Sequence, residues 1–200
     1  KLENFRKLNK NFLYPSFNTI AGSGPNGAIV HYRVSKKTNR KIKKNDIFLC
    51  DSGGQYKYGT TDVTRTICFS KPSNKIKRIF TLVLKGHIAV TISNLKKDNT
   101  GKQLDHRARK FLKNNGYDFK HGTGHGVGYF LNVHEGPQSI SKYNNIKLQE
   151  GMVLSNEPGF YEKGKFGIRI ENLIFVKKIK NKLNFENLTL APVSYTHLRA

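Results

Sequence analysis

Two amphipathic helical patterns stand in tandem in the middle of this 200-residue chain, with strand-like runs on both sides of them. Across 72–95, Ile76, Ile79, Phe80, Val83, Leu84, Ile88, Ile92 and Leu95 recur at three- and four-residue steps, which is one face of a helix. A second helix starts at Thr100, with Gln103 three positions later as in a capping box. It turns Leu104, Ala108, Phe111 and Leu112 inward and stops at Asn114, Asn115 and Gly116, a C-terminal signal. Both helices must bury an apolar face. The flanking strands are what they have to bury it on, so the class is α+β, an antiparallel sheet curved around its helices.

The strand runs come as two hairpins. Residues 1–14 read as a helix end or linker, and 15–34 as a turn-rich loop leading into a short strand at 28–32. Residues 46–50 form a buried strand that delivers Asp51 at its end. Glycines punctuate 52–59, and 62–69 alternates as the returning strand. Asp51 and Asp62 then face one another near the base of this hairpin. Beyond the helices, 151–157 and 166–176 bracket the turn PGFYEKGK, with Glu157 and Glu171 on the two arms. The run LTLAPV at 188–193 reads as a further strand. Hairpin, two helices, hairpin is a duplicated, pseudo-twofold layout, and it would bring the two acidic pairs together.

Those acids are scarce: 13 acidic residues against 36 basic ones. Four of them sit in glycine- or proline-punctuated motifs, DSGGQYKYGTTDVTRT (51–66), NEPG (156–159) and FGIRIEN (166–172), beside HGTGHGVG (121–128) with His125 at its centre. Four carboxylates and one imidazole are hard ligands, suited to two divalent cations of the Mn type and not to a structural zinc. Taken singly, Asp51 and Asp62 are turn residues, Glu157 flanks a Pro-Gly turn, and Glu171 is a surface ion pair with Arg169. Taken together in matched motifs, Asp51, Asp62, His125, Glu157 and Glu171 are expected to be metal ligands. Arg65 and Arg169 lie two or three residues from a ligand; they either orient carboxylates or make ordinary surface pairs. His87 and His106 read as ordinary helix residues.

Composition excludes several classes. The net charge of +23 invites a nucleic-acid partner, but the lysines are scattered at element ends, with no arginine cluster and no RRM-like aromatic motif. No nucleic acid is expected. No apolar run approaches the ~18 residues of a membrane span, so no membrane is expected either. Cys50 and Cys68 give no disulfide framework, which points to a reducing, cytoplasmic setting. The length fits one domain, 1–193. The last residues, SYTHLRA (194–200), break the chain's character and read as a non-native tail.

Four longer motifs, IAGSGPNGAIVHY (20–32), LCDSGGQYKYGTTDVTRT (49–66), HGTGHGVGYFLNVHEGPQSIS (121–141) and GMVLSNEPGFYEKGKFGIRIEN (151–172), carry a family resemblance. From about 13 to about 192 the chain resembles the aminopeptidase P branch of the pita-bread metallopeptidases, a family that also includes methionine aminopeptidases, prolidases and creatinases. GTGHGVG followed closely by NVHEGP points to that branch. The resemblance implies the pita-bread fold, two divalent metal ions (Mn2+ by preference), and removal of an N-terminal residue when proline comes second. It implies that Asp51 chelates one metal, Asp62 and Glu171 bridge both, and His125 and Glu157 complete the second. A water shared by the cations attacks the scissile carbonyl. His134 hydrogen-bonds that carbonyl, and His31 and His121 line the pocket for the proline side; His31 and His134 are the catalytic expectations. The alternatives are an Xaa-Pro dipeptidase (prolidase) and a non-enzymatic pita-bread binding module. The resemblance also implies a homodimer in the full-length form. The family's N-terminal domains, the first helix and strand of the catalytic domain, and the segment after 192 are expected to be absent here, which leaves a weak enzyme or none.

Overall fold

The computed structural model describes residues 1–130 and 133–193; the expected non-native tail at 194–200 lies outside the described residues. The chain begins with helix α1 (Leu2–Lys7), with Glu3 in its first turn and Arg6 and Lys7 in its last, charges that complement the helix dipole. Strand β1 (Phe12–Pro15) follows, so the first fourteen residues hold a strand as well as a helix. The strand expected at 28–32 is absent. Extended chain comes earlier, in β2 (Ile20–Ser23), and is then broken by a 3-10 turn over Gly24–Ala28 that begins with a positive-φ glycine and Pro25. The amides of Ile29 and Tyr32 bond back to Asn26 and Ile29; the apolar run that read as a strand is a chain of local turns.

The first hairpin forms as expected. β3 (Ile47–Ser52) pairs antiparallel with β6 (Val63–Cys68), placing Asp51 opposite Thr64 and Asp62 just before the returning strand. β2 covers the other side of β3. The hairpin's tip leaves this sheet: β4 (Gly54–Tyr56) and β5 (Gly59–Thr60) pair with each other, and β4 pairs with β1.

Helix α2 (Asn74–Thr91) is capped by Ser73, whose side chain accepts from the Ile76 amide. Helix α3 (Gly101–Lys113) carries the full capping box between Thr100 and Gln103. The buried stripe of α2 is Ile79, Leu82, Val83, Gly86, His87 and Val90; Ile88 is 44% exposed and Ile92 74%. The helix has more apolar residues than one stripe can hold, and Gly86 decides which row faces inward. A Cβ there would collide with the Ala108 carbonyl of α3, so only glycine lets the helices approach this closely.

The second hairpin is interrupted at its functional residues. β7 (Gly124–His125) pairs with β8 (Ser139–Ile140). β9 (Val153–Asn156) then pairs with β12 (Asn172–Ile179), whereas β10 (Gly159–Glu162) pairs with β11 (Phe166–Arg169). The break between the two ladders holds Glu157 on one arm and Glu171 on the other. β13 (Lys182–Asn187) takes the free edge of β12. Both edges of β12 are filled, so among the described residues 188–193 hydrogen-bonds to it only at Leu173, whose carbonyl accepts from the Leu188 amide and whose amide donates to Thr189 Oγ1, and the segment is not a strand. All these pairings are antiparallel. The helices pack on the second hairpin: Ile79, Val83 and Leu112 meet Ile168 and Ile170, and Val90, Leu104 and Ala108 meet Leu154, Ile174 and Val176. Fully burying each such aliphatic side chain contributes about 1.5–3 kcal/mol, which fixes the frame from which the acidic side chains project.

Candidate metal centre

The two hairpins bring Asp51, Asp62, His125, Glu157 and Glu171 to one cavity of about 390 Å³, which His31, His121 and His134 also line. Ligand atoms of Asp62, His125 and Glu171 lie within 4.8 Å of one another. His125 sits on β7, where glycine at 124 is needed because a Cβ would strike the Ser155 carbonyl of β9. Its Nδ1 faces the Gly126 carbonyl at 3.0 Å and so carries a hydrogen. Nε2 then points at Asp62 Oδ2 and Glu157 Oε1, each 3.3 Å away. A lone pair aimed at two anionic oxygens needs a cation between them, either a proton or a metal.

The carboxylates themselves call for positive charge. Burial, then the charges of Asp51 and Glu157, push Asp62 well above the usual carboxylate range. Burial and then Asp62, Glu157 and Asp51 do the same to Glu171, against a hydrogen bond from Thr64 at 2.6 Å. Burial also raises Glu157; His125 and Arg169 oppose it. Asp51 Oδ1 and Asp62 Oδ1 are buried with no hydrogen-bond partner. Orphaned oxygens in a crowd of acids are costly unless a cation is held there. The oxygen-rich donor set fits a pair of hard divalent ions.

Arg169 resolves one open alternative. It is 1% exposed, so it is no surface pair. It donates to Asp51 Oδ2 at 2.7 Å, to the Tyr161 hydroxyl at 2.7 Å and to Thr64 Oγ1 at 3.1 Å. Arg65 works on the backbone, donating to the carbonyls of Glu171, Ala191 and Pro192 and to Asn172 Oδ1. His121 is held at both nitrogens. Nδ1 faces the Gly122 carbonyl at 2.7 Å and must donate, so Nε2 accepts from the Tyr161 hydroxyl at 2.8 Å. Burial, with Arg169 nearby, lowers His121 to about 4, and burial pushes Tyr161 up to about 12. The ring of His134 lies edge-on to that of His125, centroids 4.2 Å apart. Burial, then His125 and His31, lower its pKa.

His87 and His106 lie outside the cavity. His87 is buried on α2 with Nδ1 3.0 Å from the Asn156 carbonyl. The residues that sequence reasoning passed over are the supporting hydroxyls: Thr64, Ser155 (which donates to Glu157 Oε1 at 2.8 Å) and Tyr161. Thr64 and Ser155 each stand two residues from an expected ligand, one strand period away on the same face, and that spacing was the available signal.

Residues 1–178 match metallopeptidase family M24. The chain is 51% identical over 203 residues to a probable Xaa-Pro aminopeptidase P of Phaeosphaeria nodorum, covering 96% of this chain and 31% of the relative. A Laccaria bicolor protein of the same description is 50% identical, with 96% and 32% covered. Among solved structures, the X-prolyl aminopeptidase of Caenorhabditis elegans, described as a cytosolic enzyme with a di-nuclear active site, superposes with TM-score 0.89 at 41% identity, covering 98% of this chain and 33% of that one. Prolidase from Pyrococcus furiosus gives TM-score 0.80 at 32% identity, with 91% and 51% covered. The chain thus spans about a third of the length of the curated relatives it matches. Its fold is the pita-bread fold expected from the motifs. By family match and by identity across nearly its whole length, this chain belongs to metallopeptidase family M24.

Proposed function

We propose that this chain forms the catalytic site of a dinuclear-metal exopeptidase that releases the N-terminal residue from peptides with proline in second position. The observation that best supports the reading is the convergence of four acidic side chains and His125 on one cavity that three further histidines also line, with Asp62, Glu157 and Glu171 nearest the His125 ring. Asp51 would hold one cation, Asp62 and Glu171 would bridge both, and His125 with Glu157 would complete the second. With one imidazole and no thiolate among the donors, Mn2+ is the preferred ion. Such a pair of cations supplies a water activated near neutral pH and a Lewis-acid hold on a carbonyl.

The chain's own residues orient, bind and stabilise. Arg169, fixed by Tyr161 and Thr64, holds Asp51 in one position. His134 donates to the scissile carbonyl oxygen as negative charge develops there. His121 has no ring nitrogen left for a substrate, so it offers a ring surface. Together with His31 it lines the proline side, where the substrate amide has no N–H to satisfy. Cytoplasmic residence suits the two free thiols, Cys50 and Cys68.

Full-length protein loaded with Mn2+ is expected to release the first residue of an Xaa-Pro-Xaa tripeptide and to leave an Xaa-Pro dipeptide nearly untouched. A preference for the dipeptide would make it a prolidase, the activity named for the Pyrococcus neighbour. Hydrolysis of neither, with metal bound, would reduce the site to a peptide-binding module.

A further inference from the structure

Behind the cavity, on the inward face of α3, sits a buried ion pair that no step so far uses. Asp105 is 2% exposed and Arg109 7%. Arg109 Nε donates to Asp105 Oδ2 at 2.7 Å. Its Nη1 donates to Asp118 Oδ1 at 2.8 Å and the Phe119 carbonyl at 2.6 Å, and its Nη2 to the His121 carbonyl at 2.6 Å. The guanidinium also stacks 3.9 Å from the centre of the Phe119 ring, and that ring packs on His121 with centroids 4.9 Å apart. The other oxygen of Asp105 accepts from Thr123 Oγ1 at 2.7 Å. The Thr123 carbonyl in turn accepts from the Glu157 amide at 2.7 Å.

A buried pair of opposite charges does not by itself stabilise a fold much. This one is connected in a particular direction. Among the described residues, the side-chain hydrogen bonds of the pair run within the pair or into the segment 118–123, which carries His121 and leads directly into His125. One further bond passes from that segment to Glu157. We propose that Asp105 and Arg109 are positioning residues for the centre: Asp105, through Thr123, sets Glu157 and His125, and Arg109 sets His121. They touch neither the cations nor the substrate. The inference rests on the dinuclear peptidase reading above and adds two residues to it.

The test uses the full-length chain stripped by chelator and titrated calorimetrically with Mn2+, with folding checked by circular dichroism at the assay temperature. Asp105→Asn and Thr123→Val are expected to weaken one of the two Mn2+ sites about 10–100-fold, the usual effect of losing such outer partners. Arg109→Lys keeps the charge against Asp105 but lacks the fork for the carbonyls. It is expected to keep both Mn2+ affinities and to raise KM for the tripeptide about tenfold or more, within that same range. Should Asp105→Asn fail to fold, Thr123→Val decides the metal arm. Wild-type Mn2+ affinities in Thr123→Val together with an unchanged KM in Arg109→Lys would overturn the proposal, whatever happened to Tm. Wild-type protein that binds two ions yet cleaves no Xaa-Pro peptide would sink the functional reading alone, and the metal arm would still decide this one.

Discussion

Two carboxylate oxygens lie 3.3 Å from Nε2 of His125, and the ladder break between the arms of the second hairpin puts Glu171 within reach of the same point. If Glu171 bridges two ions, Glu171→Ala leaves them insufficiently neutralised. The variant is expected to bind fewer than two Mn2+ per chain and to lose tripeptide hydrolysis; wild-type turnover at saturating Mn2+ would contradict the bridging role. His134→Ala is expected to lower kcat on the order of 10²-fold or more while moving KM little, because its donor serves charge that develops in the transition state. A change confined to KM would make it a ground-state binding residue. That these five acidic and imidazole positions gather in one cavity was legible because acids are scarce here and each stands in a glycine- or proline-bounded motif. The role of Arg169 was not. Its partner Asp51 is 118 residues away in sequence, and nothing in FGIRIEN distinguishes an arginine facing solvent from one aimed at the other hairpin.

Among the elements, α2 ties the frame to the site through His87. Burial, against the Asn156 hydrogen bond, lowers its pKa from 6.5 to about 4. Between those values the unfolded chain binds a proton that the folded chain refuses. Stability therefore rises with pH across that window and is lost as pH falls through it. The full contribution is about 3 kcal/mol at about 1.4 kcal/mol per pH unit. His87→Gln, which can still donate to the Asn156 carbonyl, is expected to flatten that part of the stability profile in urea titrations at pH 4–7; an unchanged slope would show that His87 titrates normally. Gly86→Val is expected to destabilise by about 1–3 kcal/mol, as overpacking a close contact does, read as a lowered urea midpoint. The same helix shows where periodicity stops informing. Both helices and the capping box were readable from spacing, but α2 offers two overlapping apolar rows. Only the contact of Gly86 with Ala108 chooses between them, and that contact joins residues on different helices. The missing strand at 28–32 fails for a local reason: hydrophobicity suggested extension, but the turn around Pro25 carries on as local backbone hydrogen bonds.

For the whole molecule, gathering three buried acids, Asp51, Asp62 and Glu171, beside the half-buried Glu157 carries a cost that a bound cation would offset, even in a chain of net charge +23. Most of those lysines are exposed, and among the described residues Arg169 is the buried cation that reaches the acids directly. Metal removal is therefore expected to destabilise the fold as well as abolish activity. At a free Mn2+ concentration of 100 times Kd each ion contributes about 2.7 kcal/mol, or roughly 5–10 °C in Tm for a domain of this size. Chelation that leaves Tm unchanged would contradict a centre coupled to folding. The most direct measurement is anomalous X-ray scattering from crystals of the Mn2+-loaded protein. The account predicts two anomalous peaks about 3.5–4 Å apart, both enclosed by Asp51, Asp62, His125, Glu157 and Glu171. A single peak, or peaks away from those five side chains, would contradict it.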